Sequence, residues 1–380
     1  MENRRHKLKP TLRNGDLSVR LLICAGGTGG GVYPALAVHN ALSKERPDLE
    51  TLWVGGEGGL EAGLIERTGI PFKTIPAAGI HGVGLKQLPR NLWQVIRGIG
   101  ASLRILWDFK PNVLFFTGGY VAFPMAVAGW FKQSLLYVPD MEPGMALKSI
   151  ARLADRITVT SEASKAFFTG KKIVVTGYPT RPELAKWTRE EARSKLGLNS
   201  SLPTLLVFGG SKGAHSINEA MLEHLPALLA RVQIVHISGE LDWPMVTARR
   251  NSLTATQAER YHDYPYLHEE MGAALAAADL VVSRAGASTL GEFPLFGLPA
   301  ILVPYPHAWR YQKVNADYLA QRGAAVVLED NRLKGDLYTT ICTLMDNPGK
   351  MDAMQKSMRE LARPQAAQAI AAQLAELAGA

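Results

Sequence analysis

Short apolar runs alternate with longer stretches of helical periodicity along most of the chain, and this alternation predicts the fold class. In the first half, residues 19–24, 51–54, 113–116, 135–138, 157–160 and 173–176 have the length and apolar content of buried strands. Between them, 34–44, 59–68, 88–107 and 146–153 carry apolar positions at helical spacing. The pattern breaks at 177–182, where GYPTRP holds two prolines, and a polar helix is expected at 189–196. It resumes with strands at 205–208, 232–237, 280–283, 300–303 and 325–328, and helices at 216–231, 271–278, 289–296, 312–322 and 333–345. Such alternation implies α/β domains built on mostly parallel sheets with crossover helices. The closing stretch, 351–378, is an alanine- and leucine-rich helical pattern interrupted at Pro364, placed to cross back onto the first domain.

At 380 residues the chain exceeds one ordinary core, and a 47% hydrophobic content supplies two. The expected organisation is a basic tail over 1–18, an N-terminal domain over 19–180, a C-terminal domain over 181–360 and a final helical segment over 361–380. A net charge of +8 favours an anionic partner. The tail carries Arg4, Arg5, Lys7, Lys9 and Arg13 but not the apolar segment of a signal peptide. No apolar run approaches the roughly 18–20 residues that span a bilayer, so a soluble, cytoplasmic body is expected. Cys24 and Cys342 lie far apart without metal-type spacing, which points to neither a disulfide framework nor a zinc site.

Candidate chemistry enters through glycine. Ile23–Val38 reads ICAGGTGGGVYPALAV and Leu205–Met221 reads LLVFGGSKGAHSINEAM, each with a strand–turn–helix layout in which glycines let backbone N–H groups approach a phosphate. Thr28 and Ser211 add hydroxyl donors. Neither loop is a Walker A, since no Gly-Lys-Ser/Thr follows. A third pair, Gly118 and Gly119, follows the strand at 113–116 and opens on the same sheet edge. The segment SRAGASTLGE at 283–292 is again a strand end, a small-residue turn and a helix start. There Ser288 and Thr289 could offer N–H groups to a diphosphate and Glu292 could accept from a ribose diol, while a simple cap with Ser288 at its head is the competing reading.

Taken together, GGTGGGVYPALAV, GGYVAFP, GGSKGA, SRAGASTLGE and PHAWRYQKVNA resemble, in order and spacing from about residue 21 to the C-terminal helix, the family 28 glycosyltransferases of peptidoglycan synthesis. The resemblance implies a GT-B architecture of two Rossmann-like domains facing a cleft. It also implies transfer of N-acetylglucosamine from UDP-GlcNAc to the lipid-linked acceptor undecaprenyl-pyrophosphoryl-MurNAc-pentapeptide. By position it assigns Arg181, Ser211, Ala287, Ser288, Thr289, Leu290, Gly291, Glu292 and Gln312 to the donor, and His268 through its backbone. Thr28, Gly29, Gly30, Gly118 and Gly119 fall at substrate-binding glycine-loop positions. No metal or other cofactor is implied.

Two departures stand out. The family loop normally ends in histidine where this chain has Gly31, and the family's HEQN is replaced by Tyr137-Val138-Pro139-Asp140. Inverting transfer needs a group to accept the acceptor hydroxyl's proton while charge on the leaving UDP is stabilised. Asp140 is the first candidate for that base, with Glu142 and His81 behind it. Asp140 also suits a plain turn before Met-Glu-Pro-Gly.

Residues 84–110 mix large apolar side chains with Arg90, Arg97 and Arg104, seven residues apart, a composition suited to an anionic membrane surface and equally to a core-packed crossover helix with a solvated basic stripe. Two other functions fit the same motifs: a related transferase acting on another lipid-linked acceptor, and a catalytically silent nucleotide-sugar-binding protein. Nucleic-acid binding is disfavoured because aromatic residues do not interleave with Lys and Arg as stacking platforms.

Overall fold

The structure, a computed structural model, describes residues 19–26, 29–59, 61–79, 84, 86–210, 213–307 and 311–379. The basic tail 1–18, Thr28, His81 and Ser211 lie outside the described residues. The chain forms two compact units, one running to Pro179 and taken up again from Pro364, the other Thr180–Arg363.

The first unit contains β1 (Arg20–Cys24), α1 (Gly29–Glu45), β2 (Glu50–Gly56), α2 (Glu61–Glu66), β3 (Phe72–Ile75), α3 (Leu88–Phe109), β4 (Val113–Phe116), α4 (Ala122–Ala128), β5 (Gln133–Val138), α5 (Met145–Leu153), β6 (Arg156–Val159) and β7 (Lys172–Val175). Among the described residues its sheet runs β3-β2-β1-β4-β5-β6-β7, with every neighbouring pair parallel. The central strands LLIC, VLFF and LLYV are buried along their length, as expected of a parallel sheet covered on both faces. Trp53 is fully buried on β2, and its indole N–H donates to the Ala25 carbonyl (3.0 Å), fixing the chain where it leaves β1.

The second unit contains α6 (Arg189–Lys195), β8 (Thr204–Phe208), α7 (His215–Leu229), β9 (Gln233–Ile237), α8 (Trp243–Arg250), α9 (Ala255–Ala258), β10 (Tyr261–Tyr264), α10 (Met271–Ala277), β11 (Leu280–Ser283), α11 (Thr289–Phe296), β12 (Ala300–Leu302), α12 (Tyr311–Ala320), β13 (Ala325–Val327), α13 (Leu333–Met345) and α14 (Pro348–Glu360). Its sheet runs β10-β9-β8-β11-β12-β13, again parallel throughout. Asp279 anchors the entry to this sheet: it accepts from the Thr204 N–H (2.8 Å) and pairs with Arg193 (3.0 Å).

The chain then returns. After Pro364, α15 (Ala366–Ala378) packs in the first unit against α1 and β5, burying Ile370, Ala371 and Leu374. Arg156, buried at the start of β6, secures it: its guanidinium donates to the Gln373 carbonyl (3.3 Å) and to both Glu376 carboxylate oxygens (2.7 and 2.8 Å). Hydrogen bonds from Arg156 and then Lys172 hold the Glu376 carboxyl down at about 2.

The structure adds elements that the hydrophobic pattern does not predict. β3 (FKTI) and β10 (YHDY) are edge strands, partly exposed and partly polar, so neither reads as a buried run. Helix α1 starts at Gly29, five positions before the expected residue 34, with Pro34 inside it. Proline favours a first helical position, which is why the boundary was expected there.

Arg156→Ala is expected to lower stability by about 1–2 kcal/mol, because the buried guanidinium's bonds to the Gln373 carbonyl and the solvent-facing Glu376 carboxylate are lost and α15 docking is weakened. Urea denaturation measures it, and an unchanged midpoint would show that the apolar face of α15 suffices alone.

Candidate functional site

In the first unit, the parallel strands deliver the residues after β1, β4 and β5 to one sheet edge. The backbone is crowded there. A Cβ on Gly118 would lie 2.8 Å from the Gly26 nitrogen, and one on Gly31 would lie 3.0 Å from the Thr117 carbonyl oxygen and 3.4 Å from Gly118 Cα. The Thr117 hydroxyl donates to the Gly31 carbonyl (2.7 Å), tying the first turn of α1 to the end of β4. Among the described residues of this loop none has positive φ. Close approach is what requires glycine here. Gly29, Gly30 and Gly31 belong to the first turn of α1, so their N–H groups have no intrahelical acceptor.

Below this loop lies a carboxylate that the motif reading missed. Glu61, at the start of α2, is 1% exposed, and its Oε1 accepts from the Gly56 N–H (2.8 Å). Its carboxylate rests against Gly26, Gly55 and Gly59, where any side chain would displace it. The available signal was GGEGGLEAG, a glutamate among glycines, but the contacts cross from one strand end to the next and have no fixed spacing.

Asp140 sits two residues beyond β5, half-buried, near the buried Tyr137, whose pKa is raised well above the ordinary value by burial and secondarily by the Asp140 charge. Glu142, by contrast, is buried and paired with Lys148 at 3.5 Å, which ties its carboxylate to α5. Gly119 is half-exposed beside Gly118 on the neighbouring strand end.

In the second unit the equivalent edge uses glycine differently. Gly210 (φ 94°) and Gly213 (φ 77°) are both left-handed, and Gly213 approaches the Ser238 carbonyl too closely for a Cβ. Past β11, Ala287 and Ser288 form a turn, and Thr289, Leu290, Gly291 and Glu292 open α11. Thr289 Oγ1 donates back to the Gly286 carbonyl (2.7 Å). Ser288 stands at the N-cap position of α11 with Glu292 in the first turn, as the cap reading has it, but it makes no side-chain cap bond to the helix backbone.

Glu292 is buried and lies 3.7 Å from the Arg181 guanidinium. Burial raises its pKa, opposed by Arg181 and the Ser288 hydroxyl. The structure thus joins Arg181, Ser288 and Glu292. Gln312 Oε1 accepts from the Tyr305 N–H (2.9 Å), which shapes the loop before α12, and Asn315 donates to the Ala285 carbonyl (3.2 Å). His268 is exposed and tilts against Tyr266 past the end of β10, a ring–ring contact at 4.6 Å.

Comparison with known proteins accounts for this arrangement. The glycosyltransferase family 28 N-terminal domain matches residues 21–159 and the family's C-terminal domain matches residues 204–372. The chain belongs to glycosyltransferase family 28, and its two parallel-sheet units are of the GT-B type. Within that family, relatives over nearly the whole chain carry the name of one transferase. The UDP-N-acetylglucosamine–N-acetylmuramyl-(pentapeptide) pyrophosphoryl-undecaprenol N-acetylglucosamine transferase of Desulforudis audaxviator is 39% identical over 375 residues, covering 95% of this chain and 99% of the relative. That of Listeria monocytogenes is 36% identical, covering 92% and 97%. The crystal structure of Acinetobacter baumannii MurG superposes with a TM-score of 0.74 at 26% identity, covering 94% of this chain and 99% of that one. A UDP-GlcNAc 2-epimerase of Neisseria meningitidis, at 13% identity and a TM-score of 0.66, shares the fold alone.

Gly118→Ala tests the crowded edge. The added methyl must displace the Gly26 backbone, and a loss of about 1–3 kcal/mol in unfolding free energy is expected. A midpoint equal to that of the wild type in urea would mean that the loop yields without cost.

Proposed function

We propose that this chain transfers N-acetylglucosamine from UDP-GlcNAc to undecaprenyl-pyrophosphoryl-MurNAc-pentapeptide with inversion, as a peripheral protein on the cytoplasmic membrane face. The observation that carries the reading is the buried Glu292 carboxylate at the head of α11, 3.7 Å from the half-buried Arg181 guanidinium and beside Ser288, in a chain related over nearly its whole length to transferases of that name.

In this mechanism the donor diphosphate lies against the N-termini of α7 and α11, whose first-turn N–H groups meet its charge, with Arg181 adding a cation. Glu292 accepts from the ribose diol, and Gln312 and the turn at Ala287 orient the sugar. The acceptor's pyrophosphate meets the first turn of α1 at Gly29 and Gly30. The acceptor hydroxyl oxygen forms the new bond to the anomeric carbon, the bond to the phosphate oxygen breaks, and UDP leaves with the electron pair. Asp140 takes the hydroxyl proton. These fixed donors supply the leaving-group stabilisation without a metal ion in the scheme.

Helix α3 supplies the membrane contact. It buries Val95, Gly98, Ser102, Ile105 and Leu106, while Leu92, Trp93, Ile96, Leu103 and Trp107 stand 48–80% exposed with Arg90, Arg97 and Arg104 also exposed. An apolar stripe of this size flanked by arginines suits an interface of acyl chains and anionic headgroups. No helix among the described residues is long and apolar enough to cross a membrane.

Incubation with UDP-GlcNAc and a short-chain lipid I analogue, with EDTA present, is expected to yield the disaccharide product. Donor turnover only with another lipid-linked acceptor would identify the related transferase, and no turnover would mark a silent binding protein. Asp140→Asn is expected to lower kcat about 10²–10⁴-fold, the usual contribution of a general base, at unchanged UDP-GlcNAc affinity. Near-normal turnover would return Asp140 to a turn role.

Glutamate at positions 90, 97 and 104 is expected to weaken binding to phosphatidylglycerol vesicles by more than about tenfold, at about 1 kcal/mol per cation near the surface. Binding indifferent both to these changes and to anionic lipid would remove the membrane assignment.

A further inference from the structure

Arg284 has no place in the mechanism above, yet it makes the most connected set of contacts on the donor-side edge. It follows β11 directly, and its side chain is 10% exposed. One guanidinium nitrogen donates to Asp330, three residues past β13, and to the Val303 carbonyl just past β12 (3.3 Å). The other donates to the Ser216 hydroxyl in the first turn of α7 (2.8 Å). That hydroxyl donates in turn to Asp330 Oδ1 (2.8 Å), closing a three-membered network. The guanidinium also stands 5.1 Å from the centre of the Tyr305 ring, within cation–π range.

These partners have a common geometry. Ser216 follows β8, Arg284 follows β11, Val303 and Tyr305 follow β12, and Asp330 follows β13, four consecutive strands of one parallel sheet. One planar cation therefore spans every loop that the proposed donor site draws on apart from Arg181 and the turn after β10. Through Ser216 it holds the start of α7, where the diphosphate would lie. Through Tyr305, whose N–H is accepted by Gln312, it holds the loop that aims the sugar-binding side chain.

We infer that Arg284 is a positioning residue for the sugar nucleotide: it touches no substrate and sets the spacing of the loops that do. The inference rests on the donor reading above. A guanidinium is required because the contacts diverge in a plane, which the single ammonium of lysine does not reproduce.

Steady-state kinetics and UDP titration of Arg284→Lys, Arg284→Gln and Ser216→Ala test it. Both Arg284 variants are expected to raise KM for UDP-GlcNAc and Kd for UDP by about tenfold or more, with acceptor KM unchanged and kcat at saturating donor within about threefold. Ser216→Ala, which removes only a hydroxyl and leaves the fold intact, is expected to raise both less. Combined with Arg284→Gln it should add less than its separate effect, because the two share one network.

A residue with a purely structural role would lower the thermal midpoint and the active fraction, and so kcat, without moving donor KM. Donor KM and UDP affinity within about twofold of wild type in Arg284→Gln, or full rescue by lysine, would overturn the inference while leaving the donor reading intact. Failure of the wild-type chain to bind UDP would overturn both.

Discussion

Neighbouring strands in a sheet lie about 4.8 Å apart, and when all of them run parallel every outgoing loop must leave from the same edge at that spacing. Both sheets of this protein obey that constraint without exception among the described residues. It concentrates chemistry at one edge of each unit, and it also forces backbones there into contact. Which residues occupy the edge follows from how that crowding is relieved.

The two units relieve it in different ways. In the first, side chains are removed: Gly31 and Gly118 let α1 and the β4 loop touch backbone to backbone, and Gly26, Gly55 and Gly59 leave room for the buried Glu61 carboxylate. In the second, glycine also admits close approach, of Gly213 to the Ser238 carbonyl, but it turns the chain as well at Gly210 and Gly213, and the loops are bound together by one long cation, Arg284. An all-backbone contact is stiff and tolerates little change, whereas a side-chain staple can be weakened by degrees. The edge of the second unit is therefore the one more open to tuning by single substitutions.

Central strands were legible in the sequence because burial on both faces leaves an unbroken apolar run, and the expected 113–116 and 280–283 coincide with β4 and β11. The edge strands FKTI and YHDY were not, since one side of each has no strand partner and polar residues are tolerated there, whereas the more apolar edges β7 and β13 were expected at 173–176 and 325–328. The glycine motifs fall at both candidate site edges, but pattern could not say why glycine was needed at each, since left-handed backbone and close approach leave the same letter. Glu61 and Arg284 escaped notice for a related reason. Arg284 meets partners 19, 46 and 68 residues away, and no local periodicity encodes such distances.

The crowding also bears on the position where the family has histidine. A Cβ at residue 31 would press on the Thr117 carbonyl at 3.0 Å, so the loop here is packed around a glycine rather than merely lacking an imidazole. A proton acceptor for the proposed transfer must then come from another strand end. Of the carboxylates near that edge, Glu61 lies beneath the loop and is 1% exposed, and Glu142 is turned to Lys148. Asp140 is the half-buried one, two strands from β1 in the same parallel sheet and so about 10 Å across the edge from the glycine loop. That span leaves space for a sugar ring between the helix N-terminus that would hold its pyrophosphate and the carboxylate that would take its proton. Under the proposed transfer, packing at residue 31 therefore moves the search for a base to the carboxylates of the neighbouring strand ends, where Asp140 stands.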